Sequence, residues 1–578
     1  MLCQTRRAST VRQCSRFTLS GITFRTLSLP CFNMQPYWRS CLALLGAIAS
    51  APVHGVSEVK NVAIIGAGAA GSSAAYHLQK YAEEEGLSIN ITIFEKTDHI
   101  GGRTLTVDAF DEPAQPIELG ASIFVTINHI LYNASQEFNL PIGEPHAQEN
   151  GAITAIWNGE KFVFETAEGA SWWWDVAKMW WKYGFAPYKA VQLVKSVVGK
   201  FAQMYEAPHF PFQSLTEKAF ELGLLDATGV TGEQFLAKNN IDARFGRDIL
   251  QAATRVNYAS NLAYIHGLET MVSFATDGAV AVQGGNWQIF EKMVRASGAS
   301  VYRNTSVASL STIKKKVNAS SPKYLISTID SGAKSSSPDE YAVGFDNVIV
   351  ASPWQFSHIS AEEGILHREI DEIPYTKLHV TLFASPLKLD AKFFGLGFGS
   401  KAPSSVYTTL AEGEEPKQGA DGVGSTGFYS VSTLETVVNP KTGKLEYAYK
   451  IFSAQPVTPE FLSKLLGTEI PDTFVGANGE EDDETVVKPI SWYYPHWFYS
   501  YPILLPRVTF QDPIVGDGVY YTSGMESFIS TMETSALMGK NVARLVADDF
   551  AGISRKGAET APGEPIEEGL RAQKPAEL

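Results

Sequence analysis

The sequence predicts an α/β protein in which a Rossmann-like dinucleotide-binding domain shares one chain with a second, α+β lobe. Three observations predict it. At 578 residues the chain exceeds what one hydrophobic core usually serves. Its 44% apolar and 19% charged residues describe a globular protein, neither disordered nor coiled-coil. The stretch "KNVAIIGAGAAGSSAAYHLQKY", residues 60–81, puts a buried strand, a glycine turn and a helix in the order that a dinucleotide's pyrophosphate requires.

The leader, residues 1–57, comes first. It holds six arginines (Arg6, Arg7, Arg12, Arg16, Arg25, Arg39) and no acid, so the formal charge of −15 becomes −21 for the rest of the chain. A body this acidic repels phosphate backbones, which argues against nucleic acid as a partner. From Met34, the preferred start, the leader reads "MQPYWRSCLALLGAIASAPVHG": a basic start, an apolar run from Cys41 to Ala49, then small residues. That is signal-peptide anatomy. Four Asn-x-Ser/Thr sequons (Asn90, Asn133, Asn304, Asn318) are the glycosylation candidates and suit a secretory or endomembrane lumen, lysosome or vacuole, or a secreted protein. All four cysteines (Cys3, Cys14, Cys31, Cys41) lie in the leader. The remainder has no disulfide framework, no thiolate nucleophile and no cysteine to tether a cofactor, and no metal site is expected. Nor does any stretch after residue 60 offer eighteen uninterrupted apolar residues, so no spanning helix is expected in the mature chain.

In the motif itself, Val62–Ile65 read as the strand and Ser72–Tyr81 as the helix. Gly66, Gly68 and Gly71, with Ala69 and Ala70 between them, let the backbone turn tightly and approach a pyrophosphate without a Cβ in the way. The N–H groups of the helix's first turn then face phosphate charge. The next strand, "INITIFEK", ends in Glu95 and Lys96, where an acid can grip a ribose hydroxyl.

A second glycine turn follows in "TDHIGGRTLTV", at Gly101, Gly102 and Arg103. At this distance it resembles FAD-dependent oxidases of the amine-oxidase type, which implies noncovalent FAD. "IELGASIF", with Gly120, Ala121 and Ser122, resembles the segment that passes the flavin ring. Val307 is placed like the residue that packs on adenine, and "NVIVASP" resembles a closing strand through Ala351. "GVYYTSGMESFISTMETSALMGKNVARLVADD" supplies a strand, a turn at Gly524-Met525-Glu526 and a long helix. The resemblance implies that Glu526 accepts from the ribityl chain and that the helix's positive end faces the flavin's pyrimidine edge. It also implies a glutathione-reductase-type FAD domain built from three segments, 58–125, 285–355 and 511–550. The blocks 126–284 and 356–510 form the substrate lobe, and the polar tail 551–578 is expected to be disordered. Residues 411–425 and 470–486 read as flexible loops.

In the second lobe, "AIWNGEKFVFE", "WWKYGF", "RVNYASN" and "AVQGGN", followed by "GMESFISTMETSAL", resemble the prenylcysteine oxidase (farnesylcysteine lyase) family from about residue 60 to 550. The resemblance implies a thioether oxidase that cleaves farnesyl- or geranylgeranyl-cysteine to cysteine, a prenyl aldehyde and hydrogen peroxide, using O2, in the degradation of prenylated proteins. A hydride leaves the allylic carbon beside sulfur for the flavin, water adds, and the thiohemiacetal collapses. Catalytic side chains are not identified by this chemistry. Weak candidates are Arg255, Asn257 and Tyr258 in "RVNYAS", and His496 in "SWYYPHWFYSYP". Two other readings remain open: a noncovalent FAD amine or polyamine oxidase, and a non-catalytic prenyl carrier of the Rab escort or GDI type.

One stretch stands apart. "SWWWDVAKMWWKYGF", residues 171–185, packs five of the chain's eleven tryptophans into ten positions. On a helix, Trp173, Val176, Ala177, Trp180, Trp181 and Gly184 share one face. They are expected to be an inter-lobe core, a wall of an isoprenoid pocket (with Trp173, Trp180 and Trp181 as substrate contacts), or a surface dipping into lipid headgroups, where tryptophan is favoured.

Overall fold

The computed structural model describes residues 59–143, 152–167, 172–314, 322–332, 338–471 and 488–553, with the side chains of 167 and 172–177 excepted. The leader, the tail from 554 on, residues 472–486 of the second predicted loop, Asn318, and the side chain of Trp173 thus lie outside the described residues; Ala551 still belongs to the helix Met532–Ala551.

The dinucleotide motif sits at the centre of a six-stranded sheet. Strand β1 (Lys60–Ile65) pairs in parallel with β2 (Ile89–Phe94) on one side and with β3 (Asn347–Val350) on the other. Beyond β3 comes β4 (Val519–Tyr521), also parallel, and the short strands Ser300–Tyr302 and Ile514–Gly516 close the two edges. Strands separated by hundreds of residues therefore build one sheet.

Alternation along β1 decides what covers each face. Val62 and Ile64 point into a core shared with helix α1 (Ala69–Glu85) and the helix Met532–Ala551. Ala63 and Ile65 point the other way, onto Val307, Leu310 and Ile326 of a small sheet in which Thr305–Thr312 and Tyr324–Asp330 run antiparallel. Because both faces are covered, β1 reads as a continuous apolar run rather than an alternating one. Helix α1 starts three residues before the apolar pattern predicts. It begins directly at the glycine turn, with Gly68 as its N-cap, and ends at Gly86 in the left-handed conformation. The two long helices touch closely: a Cβ on Gly539 would stand 2.1 Å from the carbonyl oxygen of Ala70.

The second lobe rests on a seven-stranded sheet. Ile153–Trp157 and Phe162–Ala167 join it from one block of the sequence. Tyr375–Ser385, Ser405–Thr408, Ser430–Val438, Leu445–Ser453 and Trp492–Pro502 come from the other. Residues 411–425 are not the loose loop their composition predicts. The carbonyls of Gly422 and Val423 are fastened to the Arg255 guanidinium at 2.8 Å each.

Candidate active site

The carboxyl ends of β1, β2, β3 and β4 converge on one place, which is where ligands bind in open parallel sheets. Gly66 leaves β1 with φ +104°, and a Cβ on it would meet Ala351 O at 2.9 Å. Any residue but glycine would push β3 away. Gly71 is tighter, because its Cβ would lie 2.0 Å from Gly66 O. The second glycine turn packs on the first: Gly101 N donates to Ala67 O at 2.9 Å, and a Cβ on Gly102 would be 3.1 Å from Gly68 Cα. Helix α1 has no side-chain cap and no acid in its first turn, so the N–H groups of Ala69, Ala70 and Gly71 have no competing local anion.

Glu95 is buried at the end of β2 and braces this cradle. Its Oε2 accepts from Ala67 N at 2.7 Å, while Oε1 accepts from Thr97 N and Thr97 Oγ1. Oε2, with one donor, keeps a lone pair for a ribose hydroxyl. Lys96 is exposed beside it. Thr305 N donates to Glu95 O, which brings the strand carrying buried Val307 against the same end.

From the second glycine turn the network runs on through Arg103. Its Nη2 pairs with Glu526 Oε2 at 2.7 Å, and its Nη1 donates to Ser500 O. Tyr375 OH donates to the same Glu526 oxygen at 3.2 Å. The Arg103 carbonyl accepts from Ala121 N and lies where a Cβ on Gly120 would be, only 1.8 Å away. Gly524 is equally constrained by Gln511 O, and Met525 is fully buried. Gly66–Gly71, Glu95, Gly101–Arg103, Gly120–Ser122, Ala351 and Gly524–Glu526 thus form one continuous wall. The backbone positions that a Cβ would fill, and the uncapped helix start, fit the pyrophosphate and ribityl chain of FAD.

The helix after Glu526 is capped in part by the protein itself. Thr531 and Thr534 close a capping box on it, and the first-turn acid Glu533 accepts from Ile130 N and Leu131 N.

Sequence reasoning missed Lys450, which stands on Leu445–Ser453. Its Nζ donates to Glu118 O at 2.8 Å, Gly120 O at 3.4 Å and Ser122 Oγ at 3.0 Å, directly behind the Gly120–Ser122 wall. Burial pulls the Lys450 ammonium down to about 8, with the Glu118 charge opposing the shift. Burial likewise pushes the Glu118 carboxyl up to about 7 against the pull of Lys450. The available signal was a lone lysine inside a strand otherwise patterned for burial.

A family model described as prenylcysteine lyase matches residues 166–558, more than half of the chain. The chain belongs to the prenylcysteine lyase family. An NAD(P)-binding Rossmann-like model matches residues 64–137, which span both glycine turns. Among curated relatives of this prenylcysteine lyase family member, farnesylcysteine lyase of Arabidopsis thaliana is 26% identical over 504 residues, covering 85% of this chain and 88% of that protein. Prenylcysteine oxidase 1 of Bos taurus is 28% identical over 498 residues, covering 84% and 88%. Among solved structures, a CLA-producing fatty acid isomerase from P. acnes has a TM-score of 0.50 at 14% identity, covering 84% of this chain and 98% of that one. That likeness is one of fold.

The four weak catalytic candidates fare differently within this family member. Arg255 is corrected: it is wholly buried, and its guanidinium is spent on Thr408, Asn261, Gly422, Val423, Thr426 and Phe428. No donor is left for a substrate carboxylate. Asn257 holds two helices together through Ser273 O. His496 lies in an aromatic row with Tyr494 and Phe498, four residues, or about 13 Å of strand, from the Ser500 carbonyl that meets Arg103. Tyr258 comes nearest. Its ring meets Tyr501 edge-on at 5.3 Å, and its hydroxyl pairs with buried Glu269, whose carboxyl burial pushes up to about 8.

The tryptophans are corrected too. Trp180 and Trp181 are 59% and 88% exposed, so they form neither an inter-lobe core nor the wall of an enclosed pocket. A groove of about 1280 Å³ does reach the Gly524 turn, with Gln355, Asp371, Arg507, Gln511 and Asp512 among its lining residues. Phe210, Phe212, Ile373 and Phe510 line it as well, so its surface is mixed rather than the apolar tunnel an isoprenoid alone would ask for.

Proposed function

We propose that this chain is an FAD-dependent oxidase of S-prenyl-L-cysteine, cleaving the thioether to cysteine, a prenyl aldehyde and hydrogen peroxide. The observation that carries the reading is the pairing of a complete dinucleotide cradle with a family match running across the second lobe. Bound in that cradle, FAD supplies the two-electron acceptor that the carbon beside sulfur requires. The protein's own contribution is to hold and orient. Gly66, Gly68 and Gly71 admit the pyrophosphate, Glu95 takes the ribose, and Arg103 is held by Glu526 and Tyr375 at the far end of the wall. Lys450 sets a buried positive charge behind Gly120–Ser122, which favours negative charge developing in front of that segment. Substrate affinity then comes mainly from apolar burial, at about 0.8 kcal/mol per CH₂, with the amino-acid head setting orientation.

The reading includes passage through a secretory or endomembrane lumen and peripheral contact with a membrane, from which prenyl groups arrive. Asn304 is exposed in a turn between strands, the setting glycosylation favours. Asn90 is bonded to Asn61 within the sheet, and Asn133 lies on a helix.

The test compares peroxide release from farnesylcysteine with release from spermine, after confirming a flavin absorption band at about 450 nm. Turnover of the thioether alone is expected. A colourless protein that cannot be reconstituted would point to a carrier, and turnover of spermine alone to an amine oxidase.

A further inference from the structure

The exposed aromatic hairpin has a chemistry of its own. Helix α2 (Trp172–Tyr183) turns at Gly184, φ +56°, into helix α3 (Ala186–Ala202). Around that turn Trp180, Trp181, Phe185 and Tyr188 are 59%, 88%, 68% and 66% exposed, and Val191 is also exposed. Four large aromatic side chains within nine residues is more than the scattered apolar exposure an ordinary surface carries. The turn is open, since nothing lies within 4 Å of where a Cβ on Gly184 would stand. The opposite side is firmly anchored: Ala186, Ala190, Val197 and Phe201 are buried, and Tyr183 OH donates to Asp248. The exposure therefore belongs to a turn whose following helix is packed on its other side.

Charge says what covers it. Residues 171–205 contain five lysines (Lys178, Lys182, Lys189, Lys195, Lys200) and one acid, Asp175. They do so in a body whose formal charge without the leader is −21. Lys189 and Lys195 are exposed on the same helix as Tyr188 and Val191. Tryptophan, tyrosine and lysine around an apolar patch is the composition that settles at the headgroup level of a bilayer. An anionic leaflet would repel a body of this net charge and attract a segment with this excess of lysine, even with Lys182 paired to Asp248, which favours contact through the hairpin. The hairpin also leads inward. Helix α3 spans about 25 Å, and its last turn places Phe201 6.4 Å from Phe528, two residues after Glu526.

We infer that the α2–α3 turn, with Trp180, Trp181, Phe185 and Tyr188 flanked by Lys189 and Lys195, is a docking surface for an anionic phospholipid bilayer. This names the surface behind the peripheral contact of the proposed function. It rests on that reading only for where the substrate comes from.

The test is co-sedimentation of the flavin-loaded protein with vesicles of phosphatidylcholine containing about a third phosphatidylserine, and with pure phosphatidylcholine. Strong binding to the first, weakened by salt, is expected. Trp181→Ser with Phe185→Ser should lower it at least about tenfold. Lys189→Gln and Lys195→Gln should each lower it about fivefold on anionic vesicles and leave neutral ones unaffected. These side chains face solvent, so the variants should keep wild-type melting temperature, flavin content and turnover of dissolved farnesylcysteine. Wild-type protein that ignores anionic vesicles overturns the inference, as do variants that bind like wild type. So does light scattering in which the aromatic substitutions split a dimer, since the patch would then join two copies of the chain. Vesicle binding is read without substrate and peroxide release without vesicles, so failure of the surface and failure of the oxidase reading are separate results.

Discussion

Replacing Gly539 by alanine tests whether the cofactor cradle depends on the close contact of two distant helices. An alanine Cβ would stand 2.1 Å from Ala70 O and 3.0 Å from both Ala70 C and Ala74 N. Carbon and oxygen do not approach below about 3 Å, so the helices must separate by roughly 1 Å. Overpacking of this kind costs about 1–3 kcal/mol. The displaced backbone belongs to the first turn of α1, where the N–H groups of Ala69, Ala70 and Gly71 would hold the pyrophosphate. A hydrogen bond of 2.9 Å lengthened by a similar amount passes the useful limit, and one bond to a charged group is worth about 1.5–3 kcal/mol. Flavin affinity should therefore fall by about tenfold to a hundredfold, alongside a lower melting temperature. The readouts are thermal unfolding and the flavin-to-protein ratio after dialysis. Gly199→Ala is the matched control. Gly199 is exposed inside α3 with nothing within 4 Å of its Cβ position, so the same change should stabilise by about 0.5–1 kcal/mol and leave flavin content alone. Wild-type stability and full flavin in Gly539→Ala would refute the reasoning, because the contact would then be looser than the structure shows.

Two further substitutions probe the lobe and the charge behind the wall. Arg255→Leu removes every guanidinium bond that ties the segment from Gly422 to Phe428 to the helix, leaves the buried Asn261 Oδ1 without its donor, and should cost about 3–5 kcal/mol in urea unfolding, with KM for prenylcysteine unchanged in the folded fraction. A raised KM at unaltered stability would return Arg255 to the substrate. Glu118→Gln should alter the pH dependence of stability. The folded Glu118 binds its proton more tightly than an ordinary glutamate, so the wild type loses stability as pH rises from about 4.5 through about 7, and glutamine does not. The variant should gain on the order of 2 kcal/mol relative to wild type across that window, read as melting temperatures at pH 5 and 8. A difference that stays constant with pH would show that Glu118 does not titrate there.

The sequence alone determined those features whose physics is local. The strand, glycine turn and helix at 60–85 follow from an apolar run followed by residues that tolerate tight backbone, and Gly66 and Gly71 prove to be positions where any Cβ collides, while Gly68 leaves ordinary contact distance. The Gly101–Arg103 turn was legible for the same reason, and the aromatic density of 171–185 was visible as composition. Only the tertiary structure decided what those parts face. Arg255 and the carbonyls of Gly422, Val423 and Phe428 are some 170 positions apart, and no local pattern says that one fastens the others. Lys450 meets Glu118 and Ser122 because a strand of the second lobe passes behind a segment of the first. Trp180 and Trp181 lie on an apolar helical face whether that face is buried or wet. Periodicity records which side chains share a direction; what occupies that direction is settled by long-range packing.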